Sequence, residues 1–198
     1  MRTINVDLFT FNELSDEAKE KVIRDNREIN VDHSDWYEFT YEQFIENSAF
    51  DVTKIYFSGF WSQGDGAMFE YSSLPSSFMD SFIDQLKLSS MRKNWLKNNI
   101  CVSGKGRHSG HYYHEKCCSH NIHWEVDNGD LHWSTTFYKW LESFEADFEQ
   151  YVIDLYEDEC SKIYRALEQE YYYLTSDESI TDAILANEYE FTKDGGNN

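Results

Sequence analysis

From Ser134 onward, apolar side chains recur at three- and four-residue steps: Phe137, Trp140, Leu141, Phe144, Phe148, Tyr151, Val152, Leu155, Ile163, Leu167 and Tyr171. Only a helix brings residues at that spacing to one side of the chain. The pattern therefore predicts one long amphipathic helix, on the order of 50 Å if unbroken. Its other face is acidic, since residues 140–194 hold 16 Asp and Glu against 3 Lys and Arg. Glu145, Asp147, Glu149, Asp154, Glu157, Asp158 and Glu159 are candidates for a negative ridge. Carboxylates interleaved with aromatics would compete for a groove that normally grips DNA. A solvated face opposite a core stripe explains the same acids without a partner.

The whole chain carries a net charge of −20. It repels nucleic-acid phosphates and anionic lipid, so we expect neither direct nucleic-acid binding nor membrane binding. The expected partner is a protein with a basic or nucleic-acid-binding surface. The chain also holds 14 Tyr, 14 Phe and 6 Trp. Such residues combine large buried area with a polar tip, which suits protein recognition. The N-terminus has no signal-peptide apolar run, and no apolar stretch approaches a membrane span. We therefore expect a cytoplasmic protein whose four cysteines stay reduced.

Residues 3–11 alternate, with Ile4, Val6, Leu8 and Thr10 on one face of an expected strand. Ser15 is the expected N-cap of a helix buried through Ala18, Val22, Ile23 and Ile29. A second helix is expected over 34–47, with Trp36, Phe39, Tyr41 and Phe44 as its apolar residues. Residues 53–73 read as a β-hairpin turned by Gly64-Asp65-Gly66. Pro75 suits the first turn of a helix running to about residue 97, broken near Leu88-Ser89-Ser90. Residues 100–126 return to strand character, punctuated by Gly104, Gly106 and Gly110. Thr175-Ser176-Asp177-Glu178 resembles a capping box for a last helix, and the tail adds an edge strand. The order predicts one α+β domain over 1–198: a mixed part to 133, a helical part over 134–187 and a tail. Its sheet should be small and mostly antiparallel, with helices packed on it.

Two stretches carry candidate chemistry. HSGHYYHEKCCSHNIHW (108–124) holds five of the seven histidines and two of the four cysteines. Zinc prefers thiolate or imidazole ligands converging tetrahedrally, often from a CxxC pair, which is absent here. On one regular strand His114, Cys118 and His120 would share a face, with His111, Cys117 and His123 on the other. His111, His114, Cys118 and His120 are thus the candidate zinc ligands, although no cofactor is the leading expectation. Strands carrying half-buried His and Tyr are the simpler alternative. The second stretch, FSGFWSQGDGA (57–67), places Ser62, Gln63 and Asp65 beside Trp61 at a hairpin tip. Display for recognition competes with plain turn chemistry there. His111 with Asp65 or Glu70 would form an acid/base pair if the two hairpins adjoin.

YFSGFWSQGDGAMFE (56–70), GHYYH (110–114) and ANEYEFTKDG (186–195) together resemble an uncharacterised family of small bacteriophage and prophage proteins, often labelled as an antitoxin of a toxin–antitoxin system. An ELSDEAKE helix start, here at 13–20, completes the resemblance. Met68 departs from the small polar or Cys residue usual there, and Cys117-Cys118 with His120 and His123 is particular to this chain. The resemblance implies phage origin and an accessory role in infection. The expected function is a non-enzymatic protein that neutralises a bacterial host protein. Its candidate surfaces are Trp61, Ser62, Gln63 and Asp65, then His111, Tyr112, Tyr113 and His114, then the acids at 145–158. The competing expectation is a metal-dependent hydrolase or nuclease built on the His/Cys cluster at 108–123.

Overall fold

The computed structural model describes residues 6–127 and 134–196. The protein is α+β, with antiparallel pairing throughout its described strands. The chain divides into two compact units. One comprises the described residues up to Thr40 together with those from Ala166 on; the other is Tyr41–Arg165.

In the first unit, strand β1 (Phe9–Thr10) pairs with β6 (Glu190–Phe191). Helix α1 (Asp16–Asp25) is capped by the Ser15 hydroxyl, which accepts from Ala18 N–H, and buries Ala18 and Val22. Helix α6 (Asp177–Ala186) adds Ile180 and Ile184 to the same small core, with Phe11, Leu14 and Phe191. Its cap is Ser176, one residue beyond the expected Thr175. Ile4 of the expected strand lies outside the described residues. The rest of that face is corrected: Val6 is 55% exposed, whereas Phe9 and Phe11 turn inward. Two phenyl rings bury more area than Leu8 and Thr10, and a one-residue shift of phase exchanges the faces of a strand.

The second unit is built on a sheet of order β2-β3-β4-β5: Val52–Phe57, Ala67–Tyr71, Ile100–His108 and Cys118–Val126. Strand β3 lies inside the sheet, and Ala67, Met68, Phe69 and Tyr71 are all buried. Helices α2 (Glu38–Asn47), α3 (Ser76–Gln85) and α4 (Ser90–Asn99) occupy the predicted stretches. The break between the last two is closed by Ser89, which caps α4; Pro75 stands at the cap position, just before the first turn of α3. Of the apolar residues of α2, Phe39 lies on the outside, 68% exposed. Gly104 and Gly106 are corrected from turns to positions inside β4. At Gly106 a Cβ would enter the ring of Tyr71, its cross-strand partner, so only glycine lets β4 and β3 close there.

Helix α5 (Thr135–Leu174) is the predicted long helix, 40 residues. At the usual rise it is about 60 Å long. Its buried line runs through Leu141, Phe144, Phe148, Val152, Tyr156, Cys160, Ile163 and Leu167. Phe82 of α3 and Trp124 of β5 both meet Phe144 and Phe148. No helix among the described residues is long and apolar enough to cross a membrane.

Candidate functional site

The two motifs singled out in the sequence meet in space. The loop after β2 (residues 58–66) and the loop after β4 (109–117) stand side by side at one end of the sheet. Within the first loop, Asp65 is the fastener. Its Oδ2 accepts from Trp61 N–H at 3.0 Å and Ser62 N–H at 2.6 Å, and its own N–H donates to Ser62 C=O at 3.0 Å. Those bonds hold Ser62 and Gln63 out at the tip. Gly64, at φ +96°, lies under the ring of Tyr112: a Cβ there would stand 2.6 Å from Cδ1. Absence of a side chain at 64 is what seats the second loop on the first.

Aromatic packing organises the second loop. Tyr113 rests on Tyr56 and His108, with centroids 5.2 and 5.3 Å apart. His108 Nε2 lies 3.2 Å from the Tyr112 carbonyl oxygen. Glu70 ties this end to the sheet: Oε1 accepts from Tyr56 O–H and His108 N–H, and Oε2 from Arg107. The His108 N–H above all holds the Glu70 carboxyl below the usual carboxylate range. On the outside, Trp61 is 68% and Tyr112 51% exposed. His111 is exposed and packs edge-on against Tyr112, whose ring stacks near His114 at 6.1 Å. A cleft of about 510 Å³ lies between the loops, lined by Gln63, Gly64, Asp65, Tyr112, His114, Glu115 and Lys116.

The histidines of 108–124 diverge. His114 Nε2 lies 3.6 Å from Cys117 Sγ, and its Nδ1 accepts from Lys116 N–H. Cys118 and His120 do share the inner face of β5, as the alternation predicts. There His120 Nδ1 is 2.9 Å from Tyr71 O–H, and its ring meets Tyr156 edge-on at 4.7 Å. Burial pushes the His120 pKa down and the Cys118 thiol up. His123 faces out beside Glu125. Among the described residues, no three His, Cys, Asp or Glu side chains are grouped so as to hold a metal ion. The expected pairing of His111 with Asp65 or Glu70 is also corrected: Asp65 is bonded within its own loop, and Glu70 takes His108, Arg107 and Tyr56.

The acids of α5 do not form one ridge. Glu145 and Glu149 are one turn apart; Asp147, Asp154 and Asp158 share another face, roughly 200° around the helix from Glu145. Burial, then Glu149 and Glu142, push the Glu145 carboxyl up. Glu157 is half-buried, and Glu159 is buried against Lys162 at 2.5 Å.

Two groups organise this end in ways the sequence does not announce: Glu70, expected as a partner of His111 and found tying Tyr56, Arg107 and His108 together, and Tyr156, whose hydroxyl donates to Phe69 C=O at 2.8 Å. Tyr156 is legible as the step four residues after Val152; nothing near Glu70 in sequence marks its role. Residues 36–177 match the family described as "Domain of unknown function (DUF8835)", and the chain belongs to that family. No curated protein and no solved structure matches.

Proposed function

We propose that this member of the DUF8835 family is a non-enzymatic binding protein that neutralises a bacterial host protein in the cytoplasm. The paired-loop tip is its grip. One observation carries this reading: two loops far apart in sequence lock together and hold Trp61 and Tyr112 outward on a preformed base. Exposed aromatics that are already ordered lose little freedom on binding and dominate the energetics of interfaces. The net charge of −20 suits a host protein with a basic or nucleic-acid-binding surface. In this reading Asp147, Asp154 and Asp158 draw the partner in, and the tip sets how long it stays. The phage resemblance supports the same role, an inhibitor of a defence protein or of a toxin.

The test is capture of the partner by tagged full-length chain from nuclease-treated bacterial lysate, at about 100 mM and about 500 mM salt. We expect one stoichiometric protein, identified by mass spectrometry and held less well at high salt. Trp61→Ala/Tyr112→Ala should weaken its binding by about tenfold or more at both salts. Changing Asp147, Asp154 and Asp158 to Lys should slow association at low salt and matter little at high salt. No partner at either salt, or a partner indifferent to the tip variant, would sink the reading.

A further inference from the structure

The two edges of the four-stranded sheet are unlike. Strand β2 is six residues long, and its register shifts between Val52 and Lys54. Irregularity and a lysine are common ways of blunting an edge. Strand β5 has nine residues in unbroken register with β4, from Ile100↔Val126 to His108↔Cys118. It contains no proline.

The ladder fixes which way the β5 backbone points. Asp127 N–H donates to Asn99 C=O at 2.8 Å, and Ser109 N–H to Cys117 C=O at 2.7 Å, just beyond either end of the pairing. Hydrogen-bonded and non-bonded pairs alternate in an antiparallel ladder. The odd-numbered residues of β5 therefore bond to β4. Cys118, His120, Ile122, Trp124 and Val126 turn N–H and C=O to the open side, where no strand or turn among the described residues meets them. Their side chains lie on the inner face and are only half-buried. The outer face of β5 carries Ser119, Asn121, His123 and Glu125. Its single carboxylate lies 3.8 Å from His123 Nε2. In a chain of net charge −20, this edge is close to neutral.

We infer that β5 pairs antiparallel with β5 of a second copy, joining two four-stranded sheets across a twofold axis at Ile122. Full overlap of the nine residues sets Ile122 opposite itself, Asn121 opposite His123 and Ser119 opposite Glu125. No like charges meet, and the half-buried Ile122, Trp124 and Val126 gain neighbours on the inner face. A second copy fits better than a strand of opposite charge because the edge is nearly neutral and self-complementary. The acids lie mostly elsewhere, where salt screens their repulsion.

Full-length protein should show a monomer–dimer equilibrium by sedimentation velocity between about 5 and about 500 μM at about 150 mM salt. Across that range, amide exchange followed by NMR should slow about tenfold or more at His120, Ile122 and Trp124. The amides of Ser119, Asn121 and His123, already bonded to β4, should not change. Asn121→Glu/His123→Glu opposes two carboxylate pairs and should weaken the dimer about tenfold or more. Ser76→Glu/Ser77→Glu adds the same charge on α3 and should weaken it far less. A monomer throughout, a dimer without the alternating protection, or equal effects of the two variants would each overturn the inference.

Discussion

His120 shows how one side chain couples burial to pH. Its ring is held between Tyr71 and Tyr156, and burial lowers its pKa from 6.5. The unfolded chain therefore takes up the proton first as pH falls. The contribution of neutral His120 is complete above the unfolded value and declines as pH drops toward the folded one. We expect Tm to fall between about pH 7 and about pH 5.5, and His120→Asn, which keeps an acceptor near the Nδ1 position, to flatten that slope. An unchanged slope in the variant would remove His120 from the account. Gly106→Ala sets a methyl against the Tyr71 ring and should cost about 1–3 kcal/mol in urea unfolding. Tyr156→Phe leaves Phe69 C=O without its hydroxyl donor inside the core and should cost about 1–3 kcal/mol.

At the scale of elements, the sequence is most legible where periodicity is long. Eleven apolar positions of α5 could be named because a 3.6-residue repeat over ten turns has no other geometry. The α1 start was legible through Ser15, whose hydroxyl has a defined acceptor role; Ser15→Ala should cost about 1 kcal/mol by urea titration. Short elements are harder. Strand β1 has two residues, so its face is decided by whether Phe9 or Leu8 has somewhere to go, which is tertiary information. Gly104 and Gly106 were misplaced for a related reason: glycine marks a turn and a close approach equally well. In the candidate site, Trp61, Gln63, Asp65, Tyr112 and His114 were legible as two dense motifs. Their meeting was not, because it depends on Gly64 and Tyr112 finding each other between two loops far apart in sequence. The expected grouping of His114 with Cys118 and His120 is broken by a 3-10 turn at Glu115–Cys117, which takes His114 off the strand that carries the other two.

At the scale of the molecule, charge is distributed against sequence. Residues 140–194 hold most of the excess acid, whereas no Asp or Glu occurs between Asp84 and Glu115. Self-repulsion in a −20 chain should make stability rise with salt. Raising NaCl from about 20 to about 200 mM should increase Tm by a few degrees, read by calorimetry on the intact protein. A flat or falling Tm would mean that local ion pairs such as Lys97 with Asp80 and Asp84 outweigh the net charge.

The turn at residues 61–65 has a bearing on how such proteins diverge. Asp65 bonds to backbone N–H groups, so the fastening does not depend on which side chains stand at 62 and 63. Those two positions can vary while the loop keeps its shape and Gly64 keeps its seat for Tyr112. Substituting the two displayed residues would therefore change what the tip presents, with the sheet that carries it left untouched.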